Sequence, residues 1–209
     1  MAKFARYPCH NFSVQAQPGH DDALWEKVPA QPLCDVMTGE SPFLATSFQI
    51  FRDDKQRLLF IRFQGEDDEI HSSFKLLDEP LYREDVFELF LAEEDDLQRY
   101  KELEVSPWDV HFDGQISYLA DGSRRLNCSW DILGWKTDTK YEKHKNRLTS
   151  LWTLPYTAFA FQPSPGKPWR FNAFRIDRSV RGVSLQAWQE TGQANFHVPE
   201  RFGYLDFEA

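Results

Sequence analysis

Short apolar and aromatic segments, separated by turn-forming residues, are the feature that most restricts how this chain of 209 residues can fold. Residues 43–51 and 57–64 are apolar and aromatic, and a short polar turn joins them, as in a β-hairpin. Residues 110–119 and 124–130 repeat this arrangement. No segment carries an apolar stripe with a helical period over three turns. The sequence therefore predicts about ten or more strands and little helix.

Composition and length support one large all-β domain. Phe, Trp and Tyr make up 15% of the chain, and large rings favour pleated surfaces. Sandwiches and barrels of this length often form one unit, with a core large enough to need no covalent staples. We predict a single β-sandwich over residues 21–209, with a first strand at residues 23–28. Residues 1–20 are predicted to be an N-terminal extension packed on or beside the domain.

The formal net charge of −9 restricts the partners of the chain. Nucleic-acid binding usually needs a basic face, and an anionic membrane surface repels an acidic protein. No stretch approaches the about 20 apolar residues of a membrane span. We therefore expect neither nucleic acid nor a membrane as a partner, whereas neutral polyols, cations and basic partners remain open. The sequence does not set the oligomeric state.

The cysteines and the N-terminal sequence suggest a compartment. Cys9, Cys34 and Cys128 are odd in number and widely spaced, which is typical of free thiols in a reducing compartment, with one bridge as the alternative. The early positive charges are not followed by the apolar run of a secretory signal. For the sequence as written, we expect a cytoplasmic location.

Glu88 stands out because it lies within an apolar strand predicted at residues 85–92. Side chains alternate between faces, so Glu88 shares a face with Val86 and Phe90. A buried carboxylate needs partners. Glu88 is therefore either part of a structural ion pair, an edge-strand charge that prevents aggregation, or an acceptor for the hydroxyl groups of a sugar.

Two aromatic residues and two polar residues complete the candidate site. Trp188 alternates with Ser and Gln, which places it on the polar face of its strand, and Tyr82 lies in a polar loop. Exposed rings often mark binding surfaces, although ordinary packing is the alternative. Asn172 and Arg175 lie on opposite faces of the strand predicted at residues 169–178. Arg175 needs a partner within an apolar face, and Glu88 is a candidate.

Metal binding and catalysis receive less support. Acidic clusters occur at residues 66–69, 93–96 and 102–104, but none has an EF-hand spacing, so solvated loops are favoured over structural Ca²⁺ and no cofactor is expected. Nucleophile and phosphate-loop motifs are absent from the sequence. Glu88 and Glu104 would supply the two carboxylates of a glycosidase if their strands pair, which makes a glycoside hydrolase the alternative function.

Several of these segments together resemble family 9 carbohydrate-binding modules and their DOMON-like relatives. The similarity extends from about Trp25 to Phe207. It rests on the runs Leu81-Tyr82-x-x-Asp85-Val86-Phe87-Glu88, Tyr100-x-x-Leu103-Glu104-Val105-Ser106-Pro107, Gly166-x-x-Trp169-Arg170-Phe171-Asn172-x-x-Arg175 and Phe196-His197-x-Pro199-Glu200-x-Phe202-Gly203.

The resemblance implies a jelly-roll-type antiparallel β-sandwich that binds a saccharide without catalysis, with a link to polysaccharide catabolism. It implies a sugar held between two rings, at Tyr82 and Trp188, with Glu88 and Arg175 at the hydroxyl rim. Tyr82 stands where sugar-binding members usually have Trp, and Glu104 stands where a basic residue is expected; both are counted among the six candidate ligand-binding residues, with Glu88, Asn172, Arg175 and Trp188. A structural or interaction domain that has lost its ligand is a further alternative.

Overall fold

The computed structural model describes residues 4–209, and strands dominate them. The fourteen strands of this part of the chain are β1 (Arg6–Asn11), β2 (Gln31–Pro32), β3 (Cys34–Asp35), β4 (Thr46–Asp53), β5 (Leu58–Glu66), β6 (Val86–Ala92), β7 (Arg99–Val105), β8 (His111–Tyr118), β9 (Arg124–Asn127), β10 (Lys136–Glu142), β11 (Arg147–Pro155), β12 (Trp169–Ser179), β13 (Gly182–Ala187) and β14 (Gly203–Phe207). The helical segments are short 3₁₀ turns at Ala23–Lys27, Leu81–Arg83, Lys143–Lys145, Tyr156–Ala158 and Pro199–Arg201. No helix among the described residues has the length and apolarity of a membrane span.

The strands form two layers that share β1. The first layer has the order β10-β11-β5-β4, and the second has the order β14-β12-β6-β7-β8-β9. Strand β2 pairs with β4, and β13 pairs with both β12 and β3. The predicted all-β sandwich with little helix is thus confirmed.

The N-terminal segment differs from its prediction. Strand β1 pairs with β14 through residues 6–9 and with β4 through residues 10–11, and both pairings are parallel. Residues 6–11 are therefore a strand that joins the two layers, and the sandwich is not wholly antiparallel. The strand predicted at residues 23–28 is also wrong, because Ala23–Lys27 forms a 3₁₀ helix capped by the side chain of Asp22.

Aromatic packing between the layers forms the main core. Phe63 of β5 stacks on Phe87 of β6 at 5.0 Å, and Phe48 of β4 meets Phe171 of β12 edge to face at 5.7 Å. A second apolar cluster covers the outer face of the second layer and includes Phe90. Strand β6 is therefore buried on both faces, which explains why every residue from Val86 to Ala92 is buried.

A group of buried charges also connects the layers. The guanidinium of Arg175 donates to Thr46 Oγ1, to the Glu66 carbonyl, to Asp67 Oδ2 at 2.9 Å and to Asp177 Oδ1 at 2.7 Å. Burial raises the pKa of Asp67 to about 7, and the positive charge of Arg175 acts against this shift. Removing the arginine would leave two buried carboxyls without their cation.

We expect Arg175→Met to lower the free energy of unfolding by about 3–5 kcal/mol, because the substitution leaves the buried partner charges without a cation. The exposed pair of Arg99 and Asp96 provides the matched control, and Arg99→Met should change stability by less than about 1 kcal/mol. Urea unfolding of both variants measures the difference. Equal effects of the two substitutions would contradict the structural role of Arg175.

Candidate functional site

A cavity of about 500 Å³ opens over the outer face of the second layer. The carboxyl groups of Glu88, Glu102 and Glu104 lie on its floor. The surrounding side chains are mainly apolar, with polar groups at the rim. The apolar ones are Phe112, Ile116, Leu126, Ile176, Leu185 and Phe196, and the rim includes Tyr82, Arg124, Asn195 and His197.

Strand alternation and register bring the three carboxyls together. Leu103 and Val105 of β7 enter the core between the layers, so Glu102 and Glu104 point to the opposite face. Antiparallel pairing places Glu88 directly opposite Glu104. One carboxylate oxygen from each of the three lies within 4.8 Å of the others. Like charges in opposed positions destabilise a sheet, so this arrangement costs stability.

The floor of the cavity is buried, and two of its carboxyl oxygens lack hydrogen-bond partners. Glu88 and Glu104 are each 1% exposed, and Oε1 of Glu88 and Oε2 of Glu104 accept no hydrogen bond. Burial raises the pKa of both carboxyls well above the usual range, and their acidic neighbours raise it further. Burial also raises the pKa of Glu102 to about 7, although Arg124 opposes that shift. Burial therefore favours the protonated form of these carboxyls in the free site.

His197 does not supply the missing positive charge. Its Nε2 lies 3.7 Å from Glu102 Oε1, and its Nδ1 lies 2.8 Å from the hydroxyl of Tyr100. Burial lowers the pKa of His197 to about 3, with a further contribution from Arg124. The imidazole is therefore neutral at physiological pH. No lysine or arginine in the described part of the chain forms an ion pair with any of the three glutamates.

Three of the six predicted site residues meet at this cavity. Tyr82 lies on the 3₁₀ turn Leu81–Arg83 at the rim, with 48% of its surface exposed. Glu88 and Glu104 form part of the floor. The structure thus brings one exposed ring beside two carboxyls, as the sequence predicted for Tyr82 and Glu88.

Trp188 does not reach the cavity, so the predicted clamp between Tyr82 and Trp188 is wrong. Its ring is 7% exposed and stacks on Phe171 at 4.5 Å within the core between the layers. Trp188 shares a face with Gln186, as the alternation predicts, but this face of β13 points into the core between the layers. Gln186 is buried there and donates to the Leu44 carbonyl. The polar face of this strand is therefore the buried face.

Arg175 and Asn172 are also structural. Arg175 lies opposite Phe87 and contacts Asp67 and Asp177, so the predicted pairing with Glu88 is wrong. Asn172 is fully buried, and its amide exchanges hydrogen bonds of 2.9 Å with the backbone of Gln189. These contacts leave neither side chain available to a ligand in the cavity.

Glu102 and Phe196 are site residues that the candidate set lacked. Glu102 belongs to an acidic run that favoured a solvated loop, but β7 buries it. Phe196 follows β13 in a loop and stacks on Phe174 at 4.3 Å while lining the cavity. The alternation of Glu102 with the apolar Leu103 indicates that Glu102 lies on a strand. No local sequence pattern indicates that Phe196 lines the cavity.

Within residues 4–209, Glu88, Glu102 and Glu104 are also the group of side chains that lie close enough together to hold a metal ion. Ca²⁺ takes six to eight oxygen ligands. Three carboxylates supply that number only if each binds through both oxygens. The loops at residues 66–69 and 93–96, where oxygen-rich sequence raised the question of Ca²⁺, contribute nothing to this cluster.

Comparison with solved structures supports the fold. A protein from Bacteroides uniformis named "putative carbohydrate-binding protein" aligns with a TM-score of 0.77 at 17% identity, covering 99% of this chain and 100% of that chain. A family 9 carbohydrate-binding module from Caldicellulosiruptor kristjanssonii, solved with glucose, aligns with a TM-score of 0.65 at 16% identity, covering 98% and 96%. The same organism's family 9 module solved with cellotriose gives 0.64 at 16% identity, covering 98% and 95%.

Sequence comparison identifies the family. No curated protein matches the chain. The sequence model of the family described as "Carbohydrate family 9 binding domain-like" matches residues 18–208, which is nearly the whole chain. This chain therefore belongs to the carbohydrate family 9 binding domain-like family.

Proposed function

We propose that this domain binds a mono- or oligosaccharide, without catalysis, in the cavity above Glu88, Glu102 and Glu104. The observation that carries the proposal is the exposed ring of Tyr82 beside buried carboxyl oxygens that have no partner. A sugar ring has an apolar C–H face and a hydroxyl rim. The mixture of apolar walls and a few placed polar groups is the general pattern of a small-molecule site.

The buried carboxyls give the hydroxyl groups strong acceptors. A protonated carboxyl both donates and accepts hydrogen bonds, and an ionised one accepts shorter and stronger hydrogen bonds than a neutral group does. The unpartnered oxygens of Glu88 and Glu104 lie on the floor of the cavity, where they would face the rim of a sugar whose C–H face lies against Tyr82. Phe196 lines the same cavity and adds an apolar side chain to its wall.

Family membership supports the same function. The similar modules from Caldicellulosiruptor kristjanssonii were solved with glucose and with cellotriose. The predicted link to polysaccharide catabolism stays a prediction, as does the cytoplasmic location.

Glycoside hydrolysis, the alternative function, has less support. A glycosidase needs one carboxyl that is protonated and one that is ionised, with environments that push their pKa values apart. Here burial raises the pKa of Glu88 and of Glu104 in the same direction. Both carboxyls also lie side by side on one strand pair, on the floor of the cavity and not on two sides of a bound sugar. Binding is the better description of this arrangement.

Tyr82→Ala tests the binding surface. If the ring stacks on the sugar, its removal should weaken binding by about 1–3 kcal/mol, the range known for stacking on nucleic-acid bases. Isothermal titration with glucose, cellobiose, cellotriose and xylobiose measures the effect. Trp108→Ala is a control of matched exposure outside the cavity, since Trp108 is 49% exposed, and it should bind like the wild type. Failure of a folded sample to bind any sugar at millimolar concentration would overturn the proposal.

The double substitution Glu88→Gln and Glu104→Gln tests whether the carboxyls serve binding at the expense of stability. Because the folded state raises the pKa of both, it binds more protons than the unfolded state, and their contribution to stability falls as pH rises above about 4.5. The free energy of unfolding of the variant should exceed that of the wild type by about 1 kcal/mol or more near pH 8, with a smaller difference near pH 5. Thermal and urea unfolding across this range measure the difference. A variant that is less stable at every pH would show that the carboxyls are structural.

A further inference from the structure

Within residues 4–209, no lysine or arginine forms an ion pair with the three glutamates on the floor of the cavity. Glu88 Oε1 and Glu104 Oε2 are buried and accept no hydrogen bond, although both side chains line an open cavity. Hydroxyl groups would satisfy these oxygens as hydrogen-bond acceptors, but they would not neutralise three adjacent carboxyls. A positively charged ligand donates hydrogen bonds to these oxygens and also reduces the negative charge of the ionised floor.

The charged groups around the floor come from several elements. Glu88 lies on β6 and the other two glutamates on β7, while Arg124 lies on β9 and His197 in the loop before β14. Asp78 and Cys128 also line the cavity, and Tyr82 lies at its rim. His197 is neutral, and Arg124 is exposed and forms no ion pair within residues 4–209. The balance of charge at the floor is therefore negative once the glutamates ionise.

A primary ammonium group matches this floor in its number of hydrogen-bond donors and in the sign of its charge. It carries three N–H donors and no acceptor. Three carboxylate oxygens, one from each glutamate, lie within 4.8 Å of one another, so a single nitrogen placed among them has one acceptor for each donor. Charge-assisted hydrogen bonds of this kind are about twice as strong as neutral ones.

The walls favour an organic cation over a bare metal ion. The cavity of about 500 Å³ is much larger than an ion needs, and most of its surface is contributed by apolar side chains such as Ile176 and Leu185. The exposed ring of Tyr82 provides a face for an apolar C–H surface, which a hydrated metal ion does not have. A sugar that carries an amine combines the ring face with the positive charge.

We propose that the cavity selects saccharides with a free primary ammonium group, such as 2-amino-2-deoxy sugars, over their neutral or N-acetylated counterparts. This inference rests on the proposed carbohydrate binding and specifies its ligand class. N-acetylation removes the charge and two of the three donors, and it adds a methyl group where the three carboxyls lie. Binding of the ammonium form converts protonated carboxyls into carboxylates, so it releases protons into the solvent.

Isothermal titration near pH 7 tests the selectivity with glucosamine, glucose and N-acetylglucosamine, and with the β-1,4-linked dimers of glucosamine and glucose. We expect the amino sugars to bind at least about tenfold more tightly than the matched neutral sugars. Titrations in two buffers of different ionisation enthalpy should show proton release. Affinity for the amino sugar should rise from about pH 5.5 to about pH 7, because the carboxyls must ionise.

Carboxamide variants locate the effect. Glu102→Gln and Glu88→Gln should each lower the ratio of amino-sugar to neutral-sugar affinity by about threefold or more, with near-ultraviolet circular dichroism to establish folding. Asp113→Asn is the matched control: Asp113 is a buried carboxylate of β8 that accepts from the backbone of Ile132 outside the cavity, and burial raises its pKa to about 6. Its substitution should leave the ratio unchanged.

The outcomes separate this inference from the proposed function. Neutral sugars that bind as tightly as amino sugars would overturn the selectivity and leave carbohydrate binding intact. Absence of binding to every sugar would overturn both. An affinity ratio that is the same in the wild type and the glutamine variants would also overturn the selectivity, because the preference would then arise elsewhere. Competition in which millimolar calcium chloride displaces glucosamine would assign the floor to a metal ion and contradict the inference.

Discussion

Packing of aromatic side chains between the two layers sets the direction of every side chain on the neighbouring strands. Phe87 meets Phe63 across the layers, and Leu103 enters the same core from β7. Because successive side chains of a strand point to opposite faces, Glu88 and Glu102 must then point outward. A shift of one residue in either strand would put carboxyls into the core and remove the cavity floor at the same time. The site is therefore a consequence of how the core is filled.

The carboxyls in the cavity lower the stability of the fold, which is a cost that an ordinary sheet face does not have. Three carboxyls are desolvated side by side, and two of their oxygens are without partners, although unpaired buried polar groups are rare in folded proteins. By contrast, the other buried charges of the sandwich are well paired, as the four acceptors of Arg175 show. The difference between the two groups distinguishes charges that hold the fold from charges that face a cavity.

The sequence predicts the fold and half of the candidate site for identifiable reasons. Alternation along β6 correctly separated Glu88 from Phe87 and Leu89, and turn residues indicated most of the strands. Alternation could not say which face of β13 is inside, because buried Gln186 is polar and makes its hydrogen bonds within the protein. Trp188 was therefore assigned to the wrong side.

Register and loops account for the remaining differences. Nothing local states that Glu88 lies opposite Glu104, since that pairing depends on the whole strand alignment. The same holds for Arg175, whose partners Asp67 and Thr46 come from distant segments. Phe196 reaches the cavity from a loop, where no periodicity applies.

The parallel strand β1 has a consequence for the synthesis of the chain. Its partner β4 follows soon after it in the chain but pairs with only two of its residues, whereas β14, which pairs with four, is made much later. At about 5–20 residues per second, β14 is synthesised on the order of ten seconds or more after β1. Throughout that interval one edge of β1 has no partner, and an unpaired edge is where strands of different chains join. Strand β14 thus closes an edge of β1 at which the nascent chain is open to misassembly.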